Sequence, residues 1–135
     1  MPVNLQVGVK ILLKNAESKY LILHRSLKKY PESAKNGEWD IPGGRITPGT
    51  NLLANLKREV KEETNLDLIG EPKIIYAQDI IIPEFPDRHV VRLTYLGEAS
   101  GEFKLDLEEH DDFKWLIYEE ITKMPGVSPY LKAAL

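Results

Sequence analysis

Alternating apolar and polar positions predict a chain built mainly of strands, with one long helix near its middle. Residues 3–13 are rich in Val, Ile and Leu, and a polar turn at 14–19 separates them from a second apolar run at 20–24, which predicts a hairpin. Similar patterns predict further strands at 39–41, 73–82, 89–98 and 113–116. Helices are predicted for two segments near the end of the chain, 118–124 and 129–135.

The central helix is predicted over residues 52–64, with an asparagine at each end. Asn51 is a good N-cap, because its side-chain oxygen can accept a hydrogen bond from an amide of the first turn. Asn65 suits the left-handed turn that often follows a helix. Apolar residues recur at helical spacing and predict one buried face, formed by Leu52, Leu53, Leu56 and Val60.

The order of these elements predicts an α+β fold, a sandwich with a mixed β-sheet. We expect the last two helices to pack on the sheet face opposite the central helix. With 135 residues, the chain has the length of one domain, and we expect a single domain over 1–135.

Composition narrows the functional classes. Apolar residues make up 42% of the chain and charged residues 29%, as in ordinary globular proteins. The net charge of -3 argues against a general nucleic-acid binder. The absence of cysteine excludes disulfides and thiolate metal sites. No apolar run approaches the ~20 residues of a membrane span, so we expect a cytoplasmic protein without a membrane partner.

Three carboxylates of the central helix stand on the edge of its apolar face. Glu59, Glu62 and Glu63 occupy positions i, i+3 and i+4, where like charges repel and burial penalises each of them. Hard oxygen ligands that converge on one face predict a site for magnesium or manganese. The alternative is a solvated acidic face that Arg58 and Lys61 neutralise.

The strand predicted at 39–41 leads into Pro42, Gly43 and Gly44. Glycines let the backbone turn sharply and approach a ligand closely. A carbonyl group such as that of Gly43 can therefore join the carboxylates in a metal shell.

This stretch resembles the sequence box of the Nudix hydrolase family (MutT-like). The box contains Gly, five residues, Glu, seven residues, Arg-Glu, an aliphatic residue, any residue, Glu-Glu, any residue, Gly and an aliphatic residue. The positions of this chain in register with it are Gly44, Arg58, Glu59, Val60, Glu62, Glu63 and Leu66. Two positions depart from the box, since Thr50 stands at its first Glu and Asn65 at its second Gly.

The resemblance implies a Nudix-type α/β/α sandwich with a mixed sheet. It also implies metal-dependent hydrolysis of the pyrophosphate linkage in a nucleoside diphosphate linked to another group. In that mechanism Mg²⁺ or Mn²⁺ is bound by Glu59, Glu62 and Glu63. Arg58 would hold one of these carboxylates in its productive rotamer through a two-point hydrogen bond.

Nudix proteins commonly carry an acidic loop before a strand with a tryptophan, and in several members a glutamate there completes the metal site or acts as the base. In this chain the corresponding loop is 108–112, before Trp115. Glu109 is the first candidate in this loop and Glu108 the second, and Glu59 is the alternative to Glu109 as the general base. His110 offers a further metal ligand, although a structural or exposed histidine is the commoner case.

Substrate contacts are predicted outside the box. Arg25, at a strand end, is a candidate for binding a substrate phosphate. In the proline-rich turn at 83–88, Phe85 could stack on a base and Arg88 could contact phosphate, although a turn without function explains these residues equally well. The basic loop at 26–37 suits an anionic ligand.

The expected partner is a small nucleotide substrate such as a (d)NTP, because the chain is compact and shows no added amino-terminal dimerisation domain. A homodimer is one option for its assembly. Thr50 keeps a second hypothesis open, a Nudix-fold module that binds or senses nucleotides with weak or no cleavage. The three helix carboxylates and Arg58 favour the enzyme, since a pure binder has no need for like charges packed together.

Overall fold

The computed structural model describes residues 2–135, apart from the side chains of Lys35 and Asn36, which belong to the basic loop predicted at 26–37. The strands are β1 (Asn4–Lys14), β2 (Tyr20–Arg25), β3 (Trp39–Asp40), β4 (Gly43–Arg45), β5 (Asp67–Ile80), β6 (Arg88–Ser100) and β7 (His110–Leu116). The helices are α1 (Ser33–Asn36), α2 (Leu52–Thr64), α3 (Tyr118–Lys123) and α4 (Pro129–Ala134). Even the longest described helix, α2 with 13 residues, falls short of a bilayer-spanning segment.

The strands form one mixed sheet in the order β3-β2-β1-β6-β5, with β4 also pairing with β1 and β7 with β2. β1 and β6 run parallel, from Asn4 opposite Arg88 to Lys14 opposite Glu98. The other strand pairs are antiparallel. The mixed sheet predicted from the order of elements is therefore confirmed.

The predicted hairpin of β1 and β2 closes next to its turn, where the two described strands pair at Lys14 and Tyr20. Further along, the same edge of β1 pairs with β4, and Lys10 lies opposite Gly43. β2 pairs instead with β7 and β3. The sheet therefore splits beyond the turn, and the split brings β4 beside α2.

Two apolar clusters cover the two faces of the sheet. One packs against α2 and contains Val9, Ile11, Leu13, Leu21, Leu23, Leu56, Val60, Leu66 and Tyr95. The other packs against α3 and α4 and contains Leu12, Ile22, Trp39, Ile41, Ile121, Val127 and Leu131. Neighbouring strand residues such as Ile11 and Leu12 point to opposite faces, so the sheet lies between α2 and the last two helices. This layering confirms the predicted α/β/α sandwich.

The structure corrects several element boundaries. β5 begins at Asp67 instead of residue 73, because its pairing with β6 continues through an irregular register. β7 begins at His110, so the second half of the predicted acidic loop is a strand that pairs with β2. Residues 43–45, interpreted as a turn, form β4 because the split leaves an edge of β1 available. The short helix α1 lies within the predicted basic loop.

One residue of the predicted buried helix face is exposed. Leu53 is 36% exposed, whereas Leu56 and Val60 are fully buried. The buried sector of α2 instead includes Asn55 and Glu63. At about 100° per residue, Leu53 projects between Val60 and the buried Thr64, so its exposure follows from its place in the first turn of α2 and not from its direction. The buried face of α2 is therefore more polar than its leucine spacing predicts.

Candidate functional site

α2 carries most of the predicted site residues and is fixed at both ends by asparagines. The Asn51 side chain accepts a hydrogen bond of 2.8 Å from the Ala54 amide. Asn65 adopts the left-handed conformation with φ 63°, and its amide donates to the Lys61 carbonyl at 3.0 Å. Both predicted caps are confirmed, and the helix they delimit turns Glu63 towards β4.

Glu63 is the most buried of the three helix carboxylates, with 5% exposure. Its Oε2 atom accepts a hydrogen bond of 2.8 Å from the Gly43 amide on β4. Burial raises the pKa of Glu63 to about 8, although the Lys10 cation and the Gly43 hydrogen bond oppose the rise, and the charges of Glu59 and Glu109 add to it. The neighbouring groups of the chain therefore do not fully compensate the buried charge of Glu63.

Gly43 lies so close to β1 that no side chain fits there. Its φ is 139°, and a Cβ atom would lie 2.0 Å from the Val9 carbonyl oxygen. The Gly43 carbonyl, a predicted metal ligand, accepts a hydrogen bond of 3.3 Å from the Lys10 ammonium group, which also donates to the Ile41 carbonyl at 3.3 Å. Lys10 further pairs with Asp40 at 3.9 Å. The structure thus places a positive charge next to the carbonyl that was predicted to bind a metal.

Arg58 lies between the two other helix carboxylates. Its Nη1 atom donates to Glu59 Oε1 at 2.9 Å and to Glu62 Oε2 at 3.5 Å. Burial raises the pKa of Glu59, which Arg58 lowers in part and Glu62 raises further. A Cβ atom on Gly44 would lie 2.7 Å from Glu59 Oε2, so a larger residue there would displace this carboxylate from its position. The side chain of Glu62 is 58% exposed.

Glu63, Glu109 and His110 converge on one point. One ligand atom from each side chain lies within 4.8 Å of the other two. Glu109 is half-buried, and the Tyr30 hydroxyl donates to its Oε1 atom at 3.5 Å. Glu108, the second candidate in this loop, is exposed. Among the described residues, the three carboxylates of α2 do not form such a group by themselves.

His110 stands at the start of β7 with 8% exposure. Its Nδ1 atom is buried and has no hydrogen-bond partner in the described part of the chain. Burial, followed by the nearby cations of Lys10 and Arg25, lowers the pKa of His110 to about 4 against the opposing charges of Asp106 and Asp111. The imidazole is therefore neutral at physiological pH and keeps an electron pair for a ligand.

Arg25, Arg45 and Arg88 form what we call the arginine patch. Burial and the charges of Arg88 and Arg25 lower the pKa of Arg45 on β4. Arg25 lies over the Tyr30 ring at 4.6 Å, and Arg88 lies over the Phe85 ring at 4.6 Å. Phe85 is 46% exposed. The predicted substrate residues Arg25 and Arg88 thus both lie close enough to Arg45 for their charges to act on it.

The loop before α2 is tied to the helix through Asn55, which is 2% exposed. Its Nδ2 atom donates to Thr50 Oγ1 at 2.8 Å. Its Oδ1 atom accepts hydrogen bonds from the Thr47 amide at 3.0 Å and from Arg58 Nη2 at 3.1 Å. We call these four residues the Asn55 network. Thr50, the residue at the position of the box glutamate, is connected through this network to the arginine that binds the carboxylates.

Sequence reasoning did not identify Lys10, Asn55 or Arg45 as site residues. Lys10 gave a weak signal, because it is a charged residue between Val9 and Ile11 in an apolar strand. Asn55 gave a comparable one as an amide side chain within the leucine stripe of α2. Arg45 gave none, since its role depends on arginines that are distant along the chain.

A sandwich whose central helix presents buried carboxylates to a glycine strand is the arrangement that the Nudix resemblance implies. A family model described as "NUDIX domain" matches residues 4–134. The chain therefore belongs to the NUDIX family, and the resemblance drawn from the box at 44–66 is confirmed.

Individual relatives agree with this assignment. The chain is 25% identical over 122 residues to Nudix hydrolase 8 of Arabidopsis thaliana, covering 90% of this chain and 32% of that protein. It is 28% identical over 98 residues to nucleoside triphosphatase NudI of Escherichia coli, covering 63% of this chain and 65% of that protein. The chain thus spans less than two thirds of either relative.

The fold also matches a solved structure, the crystal structure of a MutT protein from Methanosarcina mazei Go1. The TM-score is 0.78 at 24% sequence identity, and the match covers 99% of this chain and 92% of that chain. The predicted Nudix-type fold is therefore confirmed.

Proposed function

We propose that the chain is a pyrophosphohydrolase that cleaves the diphosphate linkage of a small nucleotide with the help of a divalent cation. The burial of Glu63 beside Glu59 in a NUDIX domain is the observation that carries the proposal. A solvated acidic face would leave Glu63 exposed, but the residue is only 5% exposed. Because burying like charges opposes folding, we attribute their arrangement to the binding of a cationic ligand.

The donor atoms at the site fit a divalent cation. Glu59 and Glu63 offer carboxylate oxygens, Glu62 offers an exposed carboxylate next to them, and Gly43 offers a carbonyl. Oxygen donors of this kind suit Mg²⁺ or Mn²⁺. The raised pKa values of Glu59 and Glu63 indicate that the cations of the chain do not fully compensate these carboxylates. When bound, a divalent cation would screen the diphosphate charge and make a water molecule more acidic.

The arginine patch would bind the phosphates of the substrate. Burial lowers the pKa of Arg45, and the charges of Arg88 and Arg25 lower it further; an anion bound beside these guanidinium groups would offset their positive charges. Phe85 lies exposed next to Arg88 and offers a ring on which a nucleobase can stack. The Escherichia coli relative is named a nucleoside triphosphatase, and we propose a nucleoside triphosphate as the substrate class.

Glu109 would accept the proton of the attacking water. It is half-buried, it lies next to Glu63, and it receives a hydrogen bond from the Tyr30 hydroxyl. A carboxylate held in this way can act as a general base. Arg58 would meanwhile keep Glu59 in place, because a charged hydrogen bond of 2.9 Å restricts the rotamers of both side chains.

A panel of nucleotides tests the proposal. Purified protein is incubated with Mg²⁺ or Mn²⁺ and nucleoside triphosphates, oxidised nucleotides, nucleotide sugars or dinucleotides, and the release of phosphate and pyrophosphate is followed. Glu63→Gln should abolish turnover, and Glu109→Gln should lower kcat by about 10²–10⁴-fold, the usual contribution of a general base. The matched control is Glu71→Gln, an exposed glutamate on β5, which should retain full activity. Equal turnover by Glu63→Gln and Glu71→Gln would contradict the proposed site.

Thr50 favours a second candidate function. It stands where the family box has a glutamate, and the Asn55 network holds the loop without supplying that carboxylate. If the protein cleaves no nucleotide in the panel, but a nucleotide raises its melting temperature, the domain is a binding or sensing module. Arg25→Gln should then reduce this thermal shift, because the arginine patch would still bind the phosphates.

A further inference from the structure

We infer that His110 is a nitrogen ligand that forms, with Glu63 and Glu109, a binding site for a divalent first-row transition-metal ion. This inference rests on the proposed function, since Glu63 and Glu109 belong to both sites. It goes further by adding a nitrogen donor to the oxygen donors and by stating which class of cation the site prefers.

The donors come from two separate parts of the fold. Glu63 lies in the last turn of α2, Glu109 directly precedes β7, and His110 is the first residue of β7. One ligand atom from each lies within 4.8 Å of the others. Three atoms that all bind one ion at ~2.1 Å lie roughly 3.0–3.6 Å from one another. Each side chain would therefore move by up to about 1 Å to complete the coordination.

The His110 ring lacks a partner that would explain its position. The residue is 8% exposed, and its Nδ1 atom has no hydrogen bond within the described residues. Buried polar atoms are nearly always hydrogen-bonded, and an exception requires an explanation such as a missing ion. The backbone of His110 is held firmly, because its amide donates to the Asp106 carbonyl at 3.1 Å and the residue pairs with Arg25 of β2.

The other two histidines of the chain have carboxylate partners. His24 binds Asp111 through Nδ1 at 2.5 Å, and His89 binds Asp79 through Nε2 at 2.7 Å. In the described part of the chain, His110 forms no ion pair of this kind, although two carboxylates lie close to it. An ion between the three side chains would satisfy the ring and both carboxylates together.

The surrounding charges leave room for a cation. Lys10 is a competing charge, but its ammonium group is hydrogen-bonded to the carbonyls of Ile41 and Gly43 and pairs with Asp40. Arg25 lies over the Tyr30 ring. Both cations thus have partners other than the two glutamates.

The donor set selects the class of metal. Carboxylate and carbonyl oxygens suit magnesium, whereas an imidazole nitrogen favours zinc, cobalt, nickel and iron over magnesium. One imidazole with two carboxylates should therefore bind Co²⁺ or Zn²⁺ more tightly than Mg²⁺. Replacing the His110 imidazole should reduce the difference between the affinity for Co²⁺ or Zn²⁺ and the affinity for Mg²⁺.

Binding of the metal alone tests the inference, with Co²⁺ and Mg²⁺ added to the whole chain in the absence of nucleotide. Calorimetry gives both affinities, and the visible absorption of Co²⁺ reports a nitrogen ligand. His110→Gln should weaken Co²⁺ binding by about 10-fold or more while changing Mg²⁺ binding by less than about 3-fold. The control is His89→Gln, which changes a histidine of β6 that is hydrogen-bonded to Asp79. It should change neither the Co²⁺ affinity nor the Mg²⁺ affinity. Equal Co²⁺ affinity in the wild type and in His110→Gln would overturn the inference.

A second measurement needs no variant and remains decisive if His110→Gln does not fold. The chain has 3 histidines, so nitrogen-15 spectra of their rings can be assigned and followed as Zn²⁺ is added. We expect the His110 ring signals to shift at low Zn²⁺ concentration while those of His24 and His89 stay in place. An unchanged His110 signal at saturating Zn²⁺ would overturn the inference.

These outcomes separate the inference from the proposed function. If Zn²⁺ leaves the His110 ring signals unchanged but Glu63→Gln abolishes hydrolysis, the proposed hydrolase activity is supported and His110 is excluded as a metal ligand. If Co²⁺ binding depends on His110 while no nucleotide is cleaved with any cation, the metal site stands and the hydrolase is excluded.

Discussion

Asn55 connects the loop before α2 to the arginine that binds the site carboxylates. The Thr47 amide and Arg58 both donate to its Oδ1 atom, and its Nδ2 atom donates to the Thr50 hydroxyl. The loss of one partner from a buried hydrogen bond leaves the other unsatisfied at a cost of about 1–3 kcal/mol. Asn55 therefore affects both the stability of the domain and the orientation of Arg58.

We expect Asn55→Ala to lower the free energy of unfolding by about 1–3 kcal/mol. Thr50→Val removes a single hydroxyl group and should lower it by about 1 kcal/mol. Because the two residues share a hydrogen bond, the double variant should lose less than the sum of the two single losses. Urea unfolding of the three variants measures these values. Strictly additive losses would show that the residues act independently.

Residues whose partners are close in sequence were predictable. Asn51 and Asn65 were identified correctly, because a helix cap depends on groups within one turn. Lys10 was missed, since its partner Gly43 is 33 residues away and the contact depends on the split of the sheet. Asn55 was missed because its role depends on the path of a loop that periodicity does not describe.

At the scale of elements, β4 shows how packing creates a strand from residues with low strand propensity. Gly43 and Gly44 contribute no side-chain contacts, and glycine weakens an isolated strand. They pair with Lys10 and Val9, and at Gly43 only glycine can approach β1 so closely. The same close approach directs the Gly43 amide at Glu63. Sequence patterns predicted α2 because its periodicity is local. They could not predict β4, because this strand forms only through its pairing with β1.

Two glycine substitutions distinguish the stability lost through a steric clash from the stability lost through an unfavourable backbone conformation. Gly43→Ala should lower the free energy of unfolding by about 3 kcal/mol or more, because the new Cβ would lie 2.0 Å from a backbone carbonyl oxygen. Gly49→Ala, at φ 85° with no atom within 4 Å of the new Cβ, should lose about 1–2 kcal/mol from conformation alone. Urea unfolding measures both. Equal losses would show that β4 can move away from β1 at little cost.

At the scale of the whole molecule, the site depends on pairings between distant segments. The parallel pairing of β1 with β6 and the pairing of β2 with β7 bring His110 towards α2. Periodicity identifies strands one at a time but does not state which strands pair. The box carboxylates were therefore predictable from one helix, whereas Glu109 was predictable through the family resemblance alone. The convergence of His110 with Glu63 required the complete fold.

Asp40 and Arg92 link β3 to β6 by two hydrogen bonds, from Nη1 to Oδ2 at 2.8 Å and from Nη2 to Oδ1 at 2.9 Å. Burial by itself would raise the pKa of Asp40, but the cations of Arg92 and Lys10 and the hydrogen bonds from Arg92 and the Ile41 amide outweigh it. The pKa of Asp40 therefore falls from its usual 3.8 to about 2. The link requires an ionised carboxylate.

This depressed pKa predicts how the stability of the fold depends on pH. Because the folded-state pKa lies below that of the unfolded chain, the contribution of Asp40 is complete above about pH 4 and is lost as the pH falls towards 2. Its size corresponds to about 2–3 kcal/mol. The difference in unfolding free energy between the wild type and Asp40→Asn should therefore be largest near pH 6 and shrink between pH 4 and pH 2.

Urea unfolding at a series of pH values measures this difference. The control Asp87→Asn changes an exposed aspartate in the turn before β6, and its difference from the wild type should stay near zero throughout. A difference for Asp40→Asn that does not change with pH would mean that the variant loses packing and not the charge of the pair. Since Asp40 also pairs with Lys10, the same titration would release Lys10 from one of its partners. The loss of stability below pH 4 should therefore begin at the end of the sheet where the candidate site lies.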